Sequence, residues 1–463
     1  MKKYIDLITQ TFDFPQPEFK VVDGQLLFNE VPLMDIIDEY GTPLKLTYLP
    51  KIGEKIEHVK SMFSGAIKKY QYDGSYTYCY CTKSSHFSFV LEEALNHNIH
   101  IETSSAFDIP IVRKLYERGK LGKQTYILCN GFKRPLYKQY ITGLLNDGFE
   151  NCVPILDNLN ELAHYDEHVS KSYNVGIRIA ADEEPNFEFY TSRLGIRYND
   201  VNTVYRDQIK PSKKATLKLL HFFINTGIRD TAYYWSELSR FIFKYCELAK
   251  ECPELDTIDI GGGFPIKTSL GFSFDYQYMV EQIIKNIKRI CSKNKVPVPN
   301  IFTEFGSYTI GESGAILYAV IDQKLQNDKE LWYMIDGSFI THLPDAWGLN
   351  QKYILLPVNK WHNMYHKVNI GGLTCDSMDY YNSEAHTSEL FMPTYDPGDH
   401  KPLYMGFFHT GAYQESLGGY GGIQHCLIPA PKHILVDKVN DKIKTMLFAK
   451  EQKSESMLKT LGY

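Results

Sequence analysis

The sequence predicts an α/β protein in which a (β/α)8 TIM barrel is combined with a second, mainly antiparallel β-barrel domain. From about residue 45 to residue 305, short apolar, β-branched runs alternate with longer amphipathic segments. Repeated strand–helix units over about 250 residues are typical of a closed parallel barrel, and an open doubly wound sheet is the alternative. Because 463 residues exceed the roughly 250–300 residues that one hydrophobic core usually supports, two domains are expected.

The barrel strands are predicted from apolar runs such as residues 174–179 and 257–260. Charged or polar residues come just after several of these runs, at Lys83, Glu102 and Gly261. A parallel barrel carries its active-site loops at the carboxyl ends of its strands, so these positions are candidates for a functional site.

The second domain is predicted from the residues beyond about 310, where the helical period fades. Aromatic and β-branched runs with frequent Gly, Pro and Asp take over, as in residues 389–399, and they indicate antiparallel strands. Residues 18–35 have a similar composition. The pair Asp23-Gly24 within them predicts a β-hairpin.

Charge and composition exclude several classes of function. The formal net charge is −5, and the chain has no basic block of the kind that nucleic-acid-binding proteins use. No stretch approaches the ~20 apolar residues of a membrane span, and residues 1–10 do not resemble a signal peptide. We therefore expect no nucleic-acid partner, no membrane insertion and no secretion.

The nine cysteines are scattered along the chain without Cys-x-x-Cys spacing. An odd number without that spacing is typical of reduced thiols rather than of a disulfide framework or a zinc site. The sequence therefore predicts a cytoplasmic compartment and no structural metal.

Lys83 follows the apolar run Tyr-Cys-Tyr-Cys-Thr and precedes an amphipathic, helix-like segment. A lysine in this position is a candidate covalent partner for a carbonyl compound. The neutral amine is the nucleophile, and apolar surroundings lower the pKa of a lysine, so we expect a lowered pKa for Lys83. A solvated surface charge is the alternative interpretation.

Six further segments occur in the order found in one enzyme family. They are Ile-Glu-Thr-Ser-Ser (101–105), His-Phe-Phe-Ile-Asn-Thr-Gly (221–227), Asp-Ile-Gly-Gly-Gly-Phe (259–264), Thr-Glu-Phe-Gly-Ser (303–307), Thr-Cys-Asp-Ser-Met-Asp (374–379) and Gly-Ala-Tyr (411–413). With Lys83, the set resembles the fold-type III, alanine-racemase-like decarboxylases that depend on pyridoxal 5'-phosphate (PLP). That family includes ornithine, arginine and diaminopimelate decarboxylases. The resemblance runs from about residue 40 to the end of the sequence.

In that family the N-terminal strand joins the C-terminal β-barrel. The resemblance therefore implies a PLP-binding barrel over residues 46–309 and a β-barrel domain formed by residues 1–45 and 310–463. It also implies a homodimer, or a higher oligomer, whose subunits share active sites. Mg²⁺ is a further candidate cofactor, as the arginine branch of the family suggests.

Gly261, Gly262 and Gly263 are candidates for binding the cofactor phosphate, because backbone amides approach an anion more closely where no Cβ intervenes. A tight turn or a dinucleotide site is the alternative, although the full Gly-x-Gly-x-x-Gly spacing is absent. By resemblance, Lys83 bonds the cofactor aldehyde. Glu304 pairs with the pyridine nitrogen and keeps it protonated, where alanine racemases carry an arginine. A protonated ring is the stronger electron sink, so Glu304 implies decarboxylation.

The resemblance implies further cofactor contacts. Glu102 matches an acidic residue near the ring, and Arg178 matches an arginine close to the bond between cofactor and lysine. Tyr413 matches a tyrosine that donates a hydrogen bond to the phosphate. Thr226 and Gly306 match other residues of the phosphate site.

Several positions depart from the family pattern. The family's Gly-Ser becomes Asn225 and Thr226, of which Thr226 keeps a hydroxyl for the phosphate, and its Glu-Pro-Gly-Arg becomes Glu304-Phe305-Gly306-Ser307. Phe223 stands where the family has a histidine that stacks on the cofactor ring, although His221 lies two residues earlier. Phe223 can still stack but cannot form a hydrogen bond. Ser307 stands where the family has an arginine, which removes one cation from the phosphate site.

Cys375 and Asp376 match a Cys-Asp pair that reaches into the active site of the partner subunit. By resemblance, the cysteine returns a proton after carbon dioxide leaves, and Asp376 and Asp345 hold the far end of the substrate. No arginine or lysine occurs between Asp336 and Trp347. The absence of a cation there argues against a distal carboxylate, and so against diaminopimelate, and favours a substrate with a cationic tail.

Residues 343–351, 129–133 and 411–415 most resemble the biosynthetic arginine decarboxylases. The implied reaction is the decarboxylation of L-arginine to agmatine and carbon dioxide in polyamine biosynthesis. The alternatives are ornithine, lysine, carboxynorspermidine or diaminopimelate decarboxylase, and a non-catalytic regulatory homologue of the same fold.

Overall fold

A computed structural model describes residues 16–181, 192–385 and 387–463. Residues 1–10, for which we expect no signal peptide, lie outside the described residues. The described chain divides into two compact units. One unit contains Ile52–Pro265 and Phe274–Thr309, and the other contains the chain up to Lys51 together with Ile266–Ser273 and Ile310–Tyr463.

The second of these units begins with a small antiparallel sheet of β1 (Phe19–Val22), β2 (Gln25–Phe28) and β3 (Val31–Pro32). Asp23 and Gly24 connect β1 to β2 with φ angles of 50° and 75°. Two consecutive left-handed residues are the requirement of a tight hairpin turn, so the predicted hairpin is confirmed. The helix Leu33–Tyr40 and strand β4 (Leu44–Tyr48) follow.

The first unit is a closed barrel of eight parallel strands. The strands are β5 (Tyr76–Cys81), β6 (His100–Thr103), β7 (Ile127–Cys129), β8 (Cys152–Leu156), β9 (Tyr173–Arg178), β10 (Ala215–His221), β11 (Thr257–Asp259) and β12 (Asn300–Phe305). β12 pairs with β5 and closes the ring. The predicted closed barrel is confirmed, and the open-sheet alternative is wrong.

Helices alternate with these strands. They are Pro50–Lys69, Ser88–Leu95, Asp108–Glu117, Pro135–Asn146, Glu161–His168, Val201–Val204 with the π-turn Tyr205–Ile209, Ala232–Ala249, Tyr276–Asn294 and Ser307–Ile310. Side-chain caps begin two of the longest: Thr231 accepts a hydrogen bond from the Tyr234 amide at 3.1 Å, and Asp275 from the Tyr278 amide at 2.8 Å. Each cap satisfies an amide that has no partner inside its helix.

The second unit is built on a nine-stranded, mainly antiparallel sheet. Its later strands are β13 (Gly314–Gln326), β14 (Glu330–Ile335), β15 (Ile354–Pro357), β17 (Asn369–Gly371), β18 (Tyr380–Tyr381), β20 (Tyr404–Phe408), β21 (Lys432–Val439) and β22 (Lys442–Ala449), while β16 (Tyr365–Lys367) and β19 (Phe391–Pro393) form a separate pair. Its remaining helical segments are Gly311–Ser313, Phe339–His342, Pro344–Gly348, Gln414–Gly418, His425–Leu427 and Ser454–Leu461. The predicted second domain, rich in antiparallel strands, is confirmed.

Strand β4 is the ninth strand of this sheet. It pairs antiparallel with β13 and parallel with β21, and all five of its residues are buried. The boundary that we predicted at residue 46 therefore falls inside a strand of the sheet unit, and Ile266–Ser273 also groups with that unit. A strand that is buried on both faces has the same apolar pattern in either kind of sheet.

None of the helices in the described ranges combines the length and the apolar character that a membrane crossing requires.

Candidate active site

Lys83 lies at the carboxyl end of β5, in the short 3₁₀ turn Thr82–Ser84. Its Nζ donates a hydrogen bond to Glu102 Oε2 at 2.9 Å. Cys81 and Glu102 are paired across β5 and β6, which brings Glu102 next to the turn. The Glu102 carboxylate is buried, whereas the Lys83 side chain is 43% exposed. The two residues that the sequence singles out at strand ends are thus in contact.

The surroundings of Lys83 are anionic rather than apolar. Burial alone would lower the pKa of Lys83, but the electrostatic influence of Cys81, Glu102 and Glu304 raises it well above its ordinary value. Our prediction of a lowered pKa is therefore wrong for this arrangement. Burial raises the pKa of Glu102, the charge of Lys83 opposes that shift, and Glu304 adds to it.

Glu304, on β12, is held by two residues from other strands. Its Oε2 lies 3.0 Å from His221 Nε2, and its Oε1 accepts a hydrogen bond from Asn130 Nδ2 at 3.3 Å. Burial would raise the pKa of Glu304, but the charge and hydrogen bond of His221, together with the charge of Lys83, lower it to about 2. The Glu304 carboxylate is therefore ionised at neutral pH although it is buried.

Asp259 completes this cluster at the end of β11. One polar atom from each of His221, Asp259 and Glu304 lies within 4.8 Å of the other two. Burial, followed by the charge of Glu304, raises the pKa of Asp259 well above its ordinary value. Two neighbouring carboxyl groups thus have pKa values shifted in opposite directions, which is common at catalytic sites.

The glycine segment after β11 packs closely against backbone. Gly261 and Gly263 have φ angles of 68° and 105°, and a Cβ on Gly262 would lie 2.0 Å from the Glu304 carbonyl oxygen. The glycines are therefore required by contacts with neighbouring strand ends, a reason that the sequence argument did not include. The Gly261 amide donates to Asp259 Oδ1 at 2.8 Å. Within the described ranges, the amides of Gly262 and Gly263 have no acceptor.

The loop after β10 lies beside this segment, because the Ile228 amide donates to the Gly263 carbonyl at 3.0 Å. The Thr226 hydroxyl and the Asn225 side-chain amide are buried and have no partner among the described residues. The same is true of Glu102 Oε1 and His221 Nδ1. A buried polar atom without a partner costs about 1–3 kcal/mol, so these atoms suit a polar ligand. They fit a cofactor with both an anionic group and a polar ring.

Arg178 ends β9, and Phe223 lies just beyond the end of the adjacent strand β10. The Arg178 guanidinium lies 5.6 Å from the centre of the Phe223 ring, a cation–π distance. Phe223 is 39% exposed, which is unusual for a phenylalanine and leaves ring surface for a planar ligand. Gly306 adjoins the Lys83 turn, since a Cβ there would lie 3.0 Å from Ser84 Cβ. Ser307 begins the helix Ser307–Ile310.

The other predicted site residues belong to the sheet unit. Asp345 is buried, and its Oδ2 accepts a hydrogen bond from Gln414 Nε2 at 2.8 Å. Burial raises the pKa of Asp345. Tyr413, immediately before Gln414, has a left-handed backbone with φ of 63°. Asp345 and Tyr413 are thus brought near each other through Gln414.

Cys375 and Asp376 lie in the loop between β17 and β18. Cys375 is exposed, and Asp376 Oδ1 accepts a hydrogen bond from the Met378 amide at 2.8 Å. Asp379 anchors the loop, since its Oδ1 accepts from the Phe339 amide at 2.7 Å. The loop is therefore fixed at one end and presents the cysteine to solvent.

The sequence argument assigned no role to His221, Asn130 or Asp259. Each of them ends or directly follows a barrel strand, as Lys83 does. This position at the end of a strand was the sequence feature that could have indicated a role for these residues. It was missed because the side chains converge only when the barrel closes.

Comparison with known proteins identifies the family. Residues 56–311 match the family described as "Pyridoxal-dependent decarboxylase, pyridoxal binding domain". That match covers more than half of the chain and includes the whole barrel with its Lys83, Glu102 and Glu304 cluster. The chain therefore belongs to the pyridoxal-dependent decarboxylase family.

Individual relatives are distant. The biosynthetic arginine decarboxylase of Prochlorococcus marinus (strain MIT 9215) is 22% identical, over 92% of this chain and 83% of the relative. Arginine decarboxylase 2 of Arabidopsis thaliana is 21% identical, over 86% of this chain and 69% of the relative.

Two solved structures have the same fold. The biosynthetic arginine decarboxylase SpeA from Campylobacter jejuni aligns with a TM-score of 0.81 at 19% identity, over 99% of this chain and 90% of the other. Diaminopimelate decarboxylase from M. jannaschii in co-complex with L-lysine aligns with a TM-score of 0.78 at 16% identity, over 96% of this chain and 97% of the other.

Proposed function

We propose that this protein is a PLP-dependent carboxy-lyase acting on a basic amino acid, with L-arginine as the leading substrate and agmatine and carbon dioxide as products. The observation that carries the proposal is the Lys83–Glu102–Glu304 cluster at the carboxyl end of the barrel. It combines an amine at the rim with a buried carboxylate that stays ionised. The arginine decarboxylases among the relatives support the choice of substrate.

The residues present fit the cofactor. When bound, PLP supplies an aldehyde for the amine and a ring that accepts electrons. Lys83 Nζ would bond the aldehyde, and Glu304 would hold a proton on the ring nitrogen. The free amides of Gly262 and Gly263 and the Thr226 hydroxyl would bind the phosphate. Roles for Arg178, Gly261, Gly306, Ser307 and Tyr413 remain predictions from the family pattern.

Glu102 has a role in moving a proton. Because the pKa of Lys83 is raised, its nitrogen must lose a proton before it can attack a carbonyl. Glu102 Oε2 lies 2.9 Å away, and burial raises the pKa of Glu102. Glu102 is therefore positioned to receive that proton.

His221 and Asn130 orient the Glu304 carboxylate. Both contact it through side-chain nitrogens, and His221 lowers its pKa. A fixed, ionised carboxylate would favour a protonated ring. Phe223 would pack against the ring without forming a hydrogen bond to it, and His221, at the end of β10, contacts Glu304 instead.

We further propose a homodimer with shared active sites, in which Cys375 returns the proton and Asp376 binds the substrate tail. Exposed apolar side chains are concentrated around that loop and the helices that adjoin it. They include Trp347, Leu349, Leu373, Met378 and Leu417. Such concentrations mark protein interfaces. A cytoplasmic location and a place in polyamine biosynthesis also belong to this proposal.

Magnesium has little support. The two clusters of potential metal ligands among the described residues are Cys81–Glu102–Glu304 and His221–Asp259–Glu304. Both lie in the proposed PLP site, and each includes a sulfur or nitrogen atom where Mg²⁺ prefers oxygen.

The proposal is tested by measuring carbon dioxide release from arginine, ornithine, lysine, carboxynorspermidine and diaminopimelate with the PLP-loaded protein. We expect the fastest release from arginine. Reduction with borohydride should leave a pyridoxyl group on the peptide that contains Lys83. A non-catalytic regulatory homologue would release carbon dioxide from none of these compounds.

Asp376→Ala and Asp345→Ala should each raise the KM for the preferred basic substrate, because the substrate cation loses its partner in a confined site. The two variants should differ in stability. Asp345→Ala also removes one of the two acceptors of Gln414 Nε2, which keeps its hydrogen bond to the Ala412 carbonyl, and should lower the free energy of unfolding by about 0.5–1.5 kcal/mol. Asp376 accepts a loop amide and lies 3.7 Å from the exposed His425 side chain, and partly exposed contacts of this kind contribute little, so Asp376→Ala should change stability little.

Initial-rate kinetics and thermal unfolding of both variants check this prediction. Unchanged KM values for the basic substrate would contradict the tail-binding role. Faster turnover of diaminopimelate than of arginine by the wild type would contradict our interpretation of the segment from Asp336 to Trp347.

Mixing Lys83→Ala with Cys375→Ala should restore activity if active sites are shared. Each variant alone should be nearly inactive. In an exchanged dimer, one site contains both lesions and the other contains neither, because a two-fold interface lends the same segment in both directions. When the two variants are mixed in equal amounts, about half of the dimers contain one chain of each, and each of these dimers has one intact site of two. Activity per subunit should therefore rise toward about one quarter of the wild-type value.

Subunit exchange should be verified with differently tagged chains. Dimers that exchange and yet remain inactive would contradict the shared site and, with it, the role proposed for Cys375.

A further inference from the structure

We infer that Cys375 and Cys426 form an oxidisable dithiol that switches off the proposed decarboxylase when it closes to a disulfide. The inference rests on the proposed function for its effect on activity. The dithiol itself rests only on the geometry of the sheet unit. Cys375 Sγ and Cys426 Sγ lie 3.8 Å apart.

Three pairs of thiols in this chain have nearly the same separation. Cys129 and Cys152 lie 3.9 Å apart on adjacent barrel strands, and Cys246 and Cys291 lie 3.9 Å apart between two helices. All four of these cysteines are buried, whereas Cys375 and Cys426 are both exposed. Of the three pairs, only the third lies at the surface of the single chain. In the proposed dimer the oxidant would reach Cys375 through the opening that admits the substrate.

Both exposed cysteines lie in short connections rather than in regular strands. Cys375 is in the β17–β18 loop, and Cys426 is in the turn His425–Leu427, with a left-handed φ of 52°. The glycines Gly419, Gly421 and Gly422 precede that turn. Closing the pair from 3.8 Å to a sulfur–sulfur bond of about 2.0 Å requires a shift of about 1.8 Å. Loop segments of this kind accommodate such a shift more readily than paired strands.

The residues beside the two cysteines also face each other. His425 Nε2 lies 3.7 Å from Asp376 Oδ2. Two consecutive residues of one loop thus lie opposite two consecutive residues of the other. Both side chains are partly exposed, so this contact by itself contributes little to stability. The sulfur atoms thus lie close because of the way the loops are arranged.

The oxidant would be a low-molecular-weight disulfide such as oxidised glutathione. The Cys426 thiolate attacks one sulfur of that disulfide, which breaks its sulfur–sulfur bond and releases one thiol. The Cys375 thiolate then attacks Cys426 Sγ and releases the second thiol. Two protein thiols are oxidised, one disulfide is reduced to two thiols, and the two cysteine protons end on the released thiols.

The closed form cannot perform the step proposed for Cys375. A disulfide sulfur carries no proton to donate, and the bond ties the loop of Cys375 and Asp376 to the turn at Cys426. Activity should therefore depend on the thiol–disulfide balance of the surroundings and should return on reduction. Cys426 has no other role in the proposed mechanism.

The test uses the full-length, PLP-loaded protein in its reduced form. The protein is incubated with oxidised glutathione, its remaining thiols are alkylated, and its peptides are mapped by mass spectrometry without reduction. We expect a linked pair of peptides containing Cys375 and Cys426, two hydrogens lighter than the sum of the free peptides. The two buried pairs should remain reduced and serve as internal controls.

The fraction of activity lost should equal the fraction of protein linked, and dithiothreitol should restore both. Cys426→Ser should keep the basal activity and form no link. Any slow loss of activity in that variant should coincide with glutathione attached to Cys375, which the peptide mass distinguishes from the link.

Each other outcome has a definite meaning. An active enzyme whose Cys375 and Cys426 stay unlinked, or link without loss of activity, overturns the switch. Zinc held by these two thiols in the purified protein would also overturn it, because the pair would then be a metal site. A protein that links but decarboxylates none of the amino acids overturns the proposed function and the switch, and leaves a dithiol without an enzyme to regulate.

Discussion

Replacing Lys83 by alanine lowers turnover by about 10⁴-fold or more, the scale on which enzymes lose rate when a covalent nucleophile is removed. The amine that would bond the cofactor aldehyde is absent, whereas the free amides of Gly262 and Gly263 and the Thr226 hydroxyl remain. We therefore expect the variant to bind PLP, less tightly than the wild type, and to fold. Steady-state decarboxylation and cofactor absorbance measure the two effects.

Lys83→Arg is the matched control. The guanidinium keeps a positive charge beside the buried Glu102 carboxylate, but it does not form the bond to the aldehyde. Both variants should be inactive, and only Lys83→Ala should leave Glu102 without a cation. Substantial turnover by either variant would contradict the assignment of Lys83.

Replacing Glu304 by glutamine lowers turnover by about 10²–10³-fold, comparable to the loss of one strong electrostatic contact to a transition state. The amide has nearly the shape of the carboxylate and can still accept a hydrogen bond from His221 or Asn130. It carries no charge, so it no longer favours a proton on the ring nitrogen. Because the pKa of Glu304 is about 2, its charge is constant near neutrality, and the deficit should not vary between about pH 6 and pH 9.

Asp259→Asn is the matched control for Glu304→Gln. Both substitutions convert a buried carboxyl group in the same cluster to an amide. Burial and the charge of Glu304 raise the pKa of Asp259 well above its ordinary value, which favours the neutral form of its carboxyl group, and the asparagine oxygen can still accept from the Gly261 amide. We expect a much smaller loss for Asp259→Asn. Equal losses in the two variants would show that Glu304 acts only in the structure of the cluster.

The sequence was sufficient to predict that Lys83, Glu102 and Glu304 belong to one site, although it missed His221, Asn130 and Asp259 beside them. Lys83, Glu102 and Glu304 each lie at or beside the carboxyl end of a parallel strand, and closure of the barrel brings such ends to one face. Periodicity identified the strands, and the order of the motifs identified the family. These arguments need only local sequence patterns, which a single sequence contains, and the general rule that the carboxyl ends of barrel strands meet at one face.

The sequence was not sufficient to predict electrostatics or pairings distant along the chain. The direction in which the pKa of Lys83 shifts depends in part on Glu304, which lies on the last strand of the barrel. The contact between Asp345 and Gln414, which are 69 residues apart in the sequence, joins the starts of two short helices. The boundary predicted at residue 46 falls inside strand β4, because the apolar pattern of β4 does not show which neighbours it has. In each case the decisive partner is remote in sequence.

The position of β4 between β13 and β21 has a consequence for synthesis on the ribosome. The whole barrel is translated between β4 and its first partner. At about 5–20 residues per second, β4 would wait for roughly 10–60 seconds with both of its edges unpaired. Its five residues, all buried in the finished sheet, would be exposed during that time to other nascent chains. Overexpression at a lower temperature, or with a chaperone that covers extended apolar segments, should therefore increase the yield of folded protein.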